Sequence, residues 1–425
     1  MLTFNHLDMH LRLQTPQMPA SIPALVSSSG ARKRDNAVTW GIITDEGLAE
    51  AASLIGTPLR RTRMQWIEAA TRDAIRHFAW GIGDNNPLWL DAEYANASPA
   101  GTILGPPCML YGIDSTIVAP KLPGVQWVYA GTEWTWYDAI RLDDSFEVDA
   151  RLTGQTIKSG RRFGRWVLQT GEIEYRNQHA QVVARALGHC ARTPRGDALV
   201  QEQGEEAQRA AKRYRYSADE LARIEHEVLN EPRRGAERRL FEDVEVGDRI
   251  PSVVKGPLSV VDILAWYSAT QGALHYGGAH GDALRYRRRH ADYHVNPVTG
   301  AKDAAGRGHL EAATGRDVGM GGVYDIGPQR ISWAQHMLTN WMGDHGFLHQ
   351  LSVSVRQPNL EGDTLWWNGT VENKAVRDGT GMVEIAIEAI NQHGRQSAFG
   401  TATVVLPSRE LGDIRLPLPV PVRSP

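Results

Sequence analysis

Cysteine is nearly absent: Cys108 and Cys190 are the two in 425 residues, which excludes a disulfide framework and a four-cysteine zinc site and fits a reducing compartment. No apolar run approaches the roughly 18 residues of a membrane-spanning helix. Neither sign of charge dominates, since 46 basic against 49 acidic residues leave a formal net charge of −3. Such a chain has no general attraction to nucleic acid or to an anionic membrane, and any basic site must be local. What is present is a globular balance, 42% hydrophobic and 22% charged, in a chain long enough for two or three domains. A cytoplasmic location is expected. Residues 1–40, rich in Met, Pro and Ser, read as a flexible extension, with a transit peptide as the other reading.

The chain repeats itself. Asn177-Gln178-His179 and Asn391-Gln392-His393 each stand at a turn between stretches of strand character. Each follows a second hairpin-like unit and, before that, an alternating strand (145–152 and 364–371) entered through Asp143-Asp144 or Gly362-Asp363. Upstream lie two stretches with apolar residues at helical spacing, 64–80 and 259–270. The pattern predicts an α+β chain of two like domains, each an antiparallel sheet wrapped around a central helix, and these two stretches are the candidates for that helix. The expected divisions are 41–195, a charged linker 196–238, 239–408 with an insertion near 280–315, and a Pro-rich tail 409–425. In the linker, Ser217 and Glu220 form a capping box for a helix running to about Asn230.

The segment Gly83-Asp84-Asn85-Asn86-Pro87-Leu88-Trp89-Leu90-Asp91 resembles the hydratase motif of the MaoC-like acyl-CoA hydratase/dehydratase family, Gly-Asp-x-Asn-Pro-x-His-x-Asp. The resemblance implies two fused hotdog domains and the hydration or dehydration of an acyl thioester. It also implies that the motif's Asp activates a water while its His exchanges the proton on the neighbouring carbon. Adding water across a conjugated double bond needs an acid, a base and donors to the enolate oxygen.

The pattern is broken in both halves. In the first, Asp84 and Asn86 match, but Trp89 stands where His belongs and cannot exchange a proton at neutral pH. In the second, a gapless alignment brings His275 onto the motif's His and sets Thr270 where Asp belongs. Three readings follow. His275 acts with a partner from elsewhere, Asp282, His280 or Gln271 being nearest in sequence; or Asp84 and His275 pair across the domains; or the site is degenerate and binds a thioester or catalyses something else. Asp84 alone also reads as a cap for the turn into Pro87.

Family members bind the enolate oxygen at the start of a helix, and among 105–109 and 325–329 the Gly327 N–H is the better donor, because prolines supply none. Asn86, Trp89 and Gln271 are candidate substrate contacts. In the insertion, Arg285, Arg287 and Arg288 read either as a grip on the phosphates of coenzyme A or as a solvated basic loop. No metal-ligand spacing occurs among the histidines. No cofactor is expected, coenzyme A entering as part of the substrate. The resemblance implies an acyl-CoA thioester, with a bulky acyl group if the first half is widened. A non-catalytic subunit needing a partner chain, or a hotdog thioesterase, is the alternative. A homodimer or a hetero-oligomer is compatible with the sequence.

Overall fold

A computed structural model describes residues 41–59, 65–160, 164–194, 214–271, 281, 284–285, 294–295, 302–303 and 305–422. Its centre is a nine-stranded antiparallel sheet. The first half supplies β1 (Gln126–Trp136), β2 (Phe146–Gly160), β3 (Gly164–Asn177) and β4 (Val182–Thr193). The second supplies β5 (Arg249–Lys255), β6 (Phe347–Val355), β7 (Leu365–Arg377), β8 (Thr380–Asn391) and β9 (Gln396–Leu406). The order across the sheet is β2, β3, β4, β1, β6, β9, β8, β7, β5. The halves are stitched edge to edge where β1 runs antiparallel to β6, with Trp134 opposite Leu351.

The repeat has a physical basis in its turns. Asn177 Oδ1 accepts the backbone N–H groups of His179 and Gln181, and Asn391 Oδ1 accepts those of His393 and Arg395. The next residue, Gln178 or Gln392, then reaches the start of a neighbouring strand. Gln178 accepts the Ser145 N–H and donates to Asp144, and Gln392 accepts the Thr364 N–H and donates to Asp363. Each Asn thus closes its own hairpin and each Gln ties that hairpin to the next.

The helical layer differs from expectation. The helix held against the sheet is neither 64–80 nor 259–270. Those stretches form α2 (Arg72–Gly81) and α6 (Val260–Thr270), which pack on each other, with Phe78 edge-on to Trp266 at 5.8 Å. The helix against β1, β5 and β6 is α8 (Gly327–Met342), and every residue of it after Gly327 is buried. Its counterpart in the first half is a 3-10 turn, Pro107–Gly112. Short helices α1 (Asp45–Ala52), α3 (Pro87–Leu90), α4 (Ala92–Ala97) and α7 (Ala312–Asp317) cover the ends. The linker holds α5 (Ala218–Leu229), whose Ser217–Glu220 capping box is formed as the sequence predicts.

The linker and tail fasten the halves. Past α5 the chain lies along the end of α8, where the Arg234 N–H donates to Asn340 O and Arg239 to Trp341 O. The tail returns to the first half, with the Leu418 N–H on Tyr137 O and Arg185 on Pro421 O.

Candidate active centres

The first centre forms where α2 ends. Asp84 lies three residues beyond Gly81, in a turn whose last residue, Asn86, caps α3 by accepting the Leu88 N–H at 3.0 Å. Asp84 is fully buried, so its charge must be met by donors. Its Oδ1 accepts the Asn86 N–H and its Oδ2 the Trp89 indole N–H, both at 2.9 Å. Trp89 therefore fills the place of the motif's histidine and occupies the carboxylate it would have left to a water.

A histidine does approach Asp84, but from the other half and 252 residues away in sequence. His336, on α8, is fully buried, and its Nε2 lies 3.5 Å from Asp84 Oδ1 and 2.7 Å from Glu231 Oε1 of the linker. Neither oxygen is in line with an Nε2–H bond, so these are Coulombic contacts. On the other side of the ring, Lys255 Nζ donates to Nδ1 at 2.9 Å and to Gly83 O at 3.0 Å. A lysine ammonium can only donate, so Nδ1 is the acceptor and the ring proton sits on Nε2, between the two carboxylates.

The charges here tune one another. Burial favours the neutral Glu231 carboxyl, but the His336 contact, the Lys255 ammonium and the Asn340 amide outweigh it and bring its pKa down to about 2. Burial likewise lowers the Lys255 pKa, opposed by Glu231, Asp84 and Asp262. Beside Asn86 and Trp89, a cleft running to Trp136 and Met342 has about 50 Å³ of open space. That is room for a water or two, against the several hundred Å³ of an ordinary small-molecule site. The first centre is a closed ionic knot, and the widened first half the resemblance implied does not appear around Asn86 and Trp89.

The second centre lies where α6 ends and α8 begins. The gapless alignment that set Thr270 against Asp84 does not match the helix ends: Thr270 is the last residue of α6, whereas Asp84 stands three residues past α2. Counted from the helix ends, the counterpart of Asp84 is Ala273. Either alignment leaves this half without a carboxyl at the motif's position. Gln271 caps α6, partly buried. His275, His280, Asp282, Arg287 and Arg288 lie outside the described residues, and Arg285 is exposed.

Gly327 opens α8, and its N–H belongs to the first turn, where amides have no intrahelical acceptor. The Tyr129 ring from β1 packs so close that a Cβ on Gly327 would meet it at 2.5 Å. Gln329 Nε2 donates to Asp262 O, tying the start of α8 to α6. Just upstream, Asp325 pairs with the buried Arg330, which also donates to Gln357 O and Ser397 O. His309, on a short 3-10 helix (Ala305–His309), packs against Tyr324 with ring centroids 4.0 Å apart and planes tilted by 43°, and lies 6.3 Å from the ring of Tyr267 of α6. In the first half, 105–109 has Gly105 locked by Met109, whose sulfur would sit 2.3 Å from a Cβ there.

Residues 54–186 match the model of the FAS1-like dehydratase domain region. The fold matches a MaoC-like dehydratase with a TM-score of 0.55 and 16% identity, covering 84% of this chain and 99% of that one. The chain has the fold of a MaoC-like dehydratase, and its sequence match to a dehydratase domain region is confined to residues 54–186. Similar also are a MaoC domain protein dehydratase from Chloroflexus aurantiacus, at 13% identity, TM-score 0.49 and coverage of 84% and 96%, and a conserved hypothetical protein from Mycobacterium tuberculosis with a double hotdog fold, at 12%, 0.46, and 82% and 96%. No curated relative matches the sequence. The chain has the double hotdog layout, with one true central helix, α8. Sequence reading missed His336, Glu231 and Lys255, because no linear spacing joins a linker, a strand end and a helix whose histidine lies 81 residues past that strand's lysine. No helix among the described residues is long and apolar enough to cross a membrane.

Proposed function

We propose that this chain interconverts an enoyl-CoA and its 3-hydroxyacyl-CoA, and that the reaction runs in the second half. The observation that carries the placement is the sealing of Asp84. Both its oxygens are engaged, by Trp89 and by Asn86, and the space beside it takes little more than a water. A carboxylate so enclosed has no room beside it for an acyl thioester, and in this reading the matching half of the motif serves the fold. In the gapless alignment the second half carries His275 at the motif's histidine, and this half also has a helix start, Gly327, whose N–H suits a developing enolate oxygen.

In this reading His275 exchanges the proton on the α carbon, Gln271 contacts the substrate, and Asp282 is a candidate partner. Arg285, Arg287 and Arg288 meet the phosphates of coenzyme A. A bulky acyl group rests on the family resemblance alone.

The test is mass-resolved turnover of a panel of short, medium and aromatic enoyl-CoAs by the full chain, beside His275→Ala and Asp84→Asn. A gain of one water, lost in His275→Ala and kept in Asp84→Asn, supports the reading. Release of free thiol would replace it with thioester hydrolysis. Thioester binding without turnover would point to a subunit that needs a partner chain.

A further inference from the structure

Either alignment leaves the second half without the carboxylate that should take a proton from water. His309 sits at that junction, on a segment with no counterpart in the first half. It is one residue before Leu310, which packs against the main core, so the backbone here is anchored. Its ring is fixed by Tyr324, through the tilted ring contact and through a hydrogen bond between Nδ1 and Tyr324 O at 2.9 Å. A carbonyl can only accept, so Nδ1 carries the proton and Nε2 presents a lone pair. Tyr324 is three residues before Gly327, and Tyr267 belongs to the last turn of α6. The imidazole is therefore held between the helix end where the motif's acid is missing and the helix start that offers the enolate site.

We propose that His309 is a catalytic base of the second centre, standing in for the absent motif carboxylate. The inference rests on the reading above. Nε2 takes a proton from water as its oxygen bonds to the β carbon of the enoyl thioester. The electron pair of the double bond moves to the thioester oxygen at the Gly327 N–H, the pair returns to the α carbon as that carbon takes a proton from the acid already proposed there, and His309 gives its proton to solvent as that acid regains one from solvent. The reverse sequence removes water. Burial holds the His309 pKa down at about 4, offset in part by the Tyr324 carbonyl, the Asp325 charge and the Asp325 backbone, so the ring is neutral at neutral pH. Asp325 is the charge facing it, itself paired with Arg330, and Tyr267 and Tyr324 are its aromatic neighbours.

The experiment compares wild type with His309→Gln, which keeps an N–H donor for the Tyr324 carbonyl but has no base. Turnover falling by about a hundredfold or more, with KM within a few-fold, is the expected result. The wild-type kcat/KM profile should also fall on its acidic side near pH 4, a measurement that stands even if the variant folds poorly. Wild-type turnover with His309→Gln within a few-fold, or an acidic limb lying at the ordinary histidine value, overturns His309 and leaves the hydratase reading standing. No turnover of any thioester by wild type overturns both.

Discussion

Asp84 and Glu231 make different use of the same buried knot. Removing charge from Asp84 leaves the Trp89 and Asn86 donors with an amide oxygen to share and leaves Lys255 with one carboxylate fewer. Asp84→Asn should cost roughly 1–3 kcal/mol in urea unfolding while turnover per folded molecule stays within a few-fold, and a loss of turnover without a loss of stability would return Asp84 to the chemistry. For Glu231 the sign follows from a folded-state pKa depressed to about 2. Its stabilisation is whole above the unfolded carboxyl value, roughly pH 4.3, and is lost as pH falls towards the folded one. His309, with its pKa lowered to about 4, likewise stabilises the fold above roughly pH 6.5 and loses that contribution as pH falls. Acid unfolding should therefore begin below about pH 6.5 and steepen below about pH 4.3. Glu231→Gln should flatten the lower window and His309→Gln the upper one, as read by denaturant midpoints across pH.

α8 is the element on which the molecule turns, and it is also the one the sequence concealed. An amphipathic helix announces itself by a polar face, and α8 has none, because it is enclosed throughout. Its Gln329, Arg330, Ser332, Gln335, His336, Thr339 and Asn340 are all buried, so polar residues occur on every side and the helical period of apolar residues is lost. By contrast α2, with buried Ile75, Phe78 and Ala79 on one face, was legible at once, though its role was misassigned. The hairpins were legible because their Asn and Gln are local devices, whereas the knot around His336 joins three distant segments and leaves no linear trace. Two changes probe α8. Arg330→Met removes the partner of a fully buried Asp325 and should cost about 3–5 kcal/mol, seen as a lower denaturant midpoint. Gly327→Ala drives a methyl group into the Tyr129 ring and should cost roughly 1–3 kcal/mol of overpacking. It should also lower turnover if the Gly327 N–H holds the enolate, and unchanged turnover would remove Gly327 from the site.

At the scale of the molecule, the two halves differ in what each retains. The first keeps the motif's acid and has reduced its central helix to the 3-10 turn Pro107–Gly112, and the second keeps the helix. Apart from a small cluster of Leu48, Leu122, Val125 and Val167 in the first half, the core among the described residues is shared. α8 packs on β1 of the first half as well as on β5 and β6, Trp266 of α6 lies against Phe78 and Tyr111, and one cluster of buried residues runs through both halves. The linker and tail add bonds from each half to the other's elements. Two independently stable hotdogs would unfold in two steps, but here loss of either half strips β1 or β6 of a paired edge and exposes Trp134, Leu351 and the face of α8. Cooperativity follows when an interface is continuous with the core on both sides. The chain should therefore unfold in urea in a single transition, with tryptophan fluorescence and far-ultraviolet circular dichroism coinciding. A plateau between two transitions would mean that the β1–β6 seam and α8 bind the halves more weakly than this packing requires.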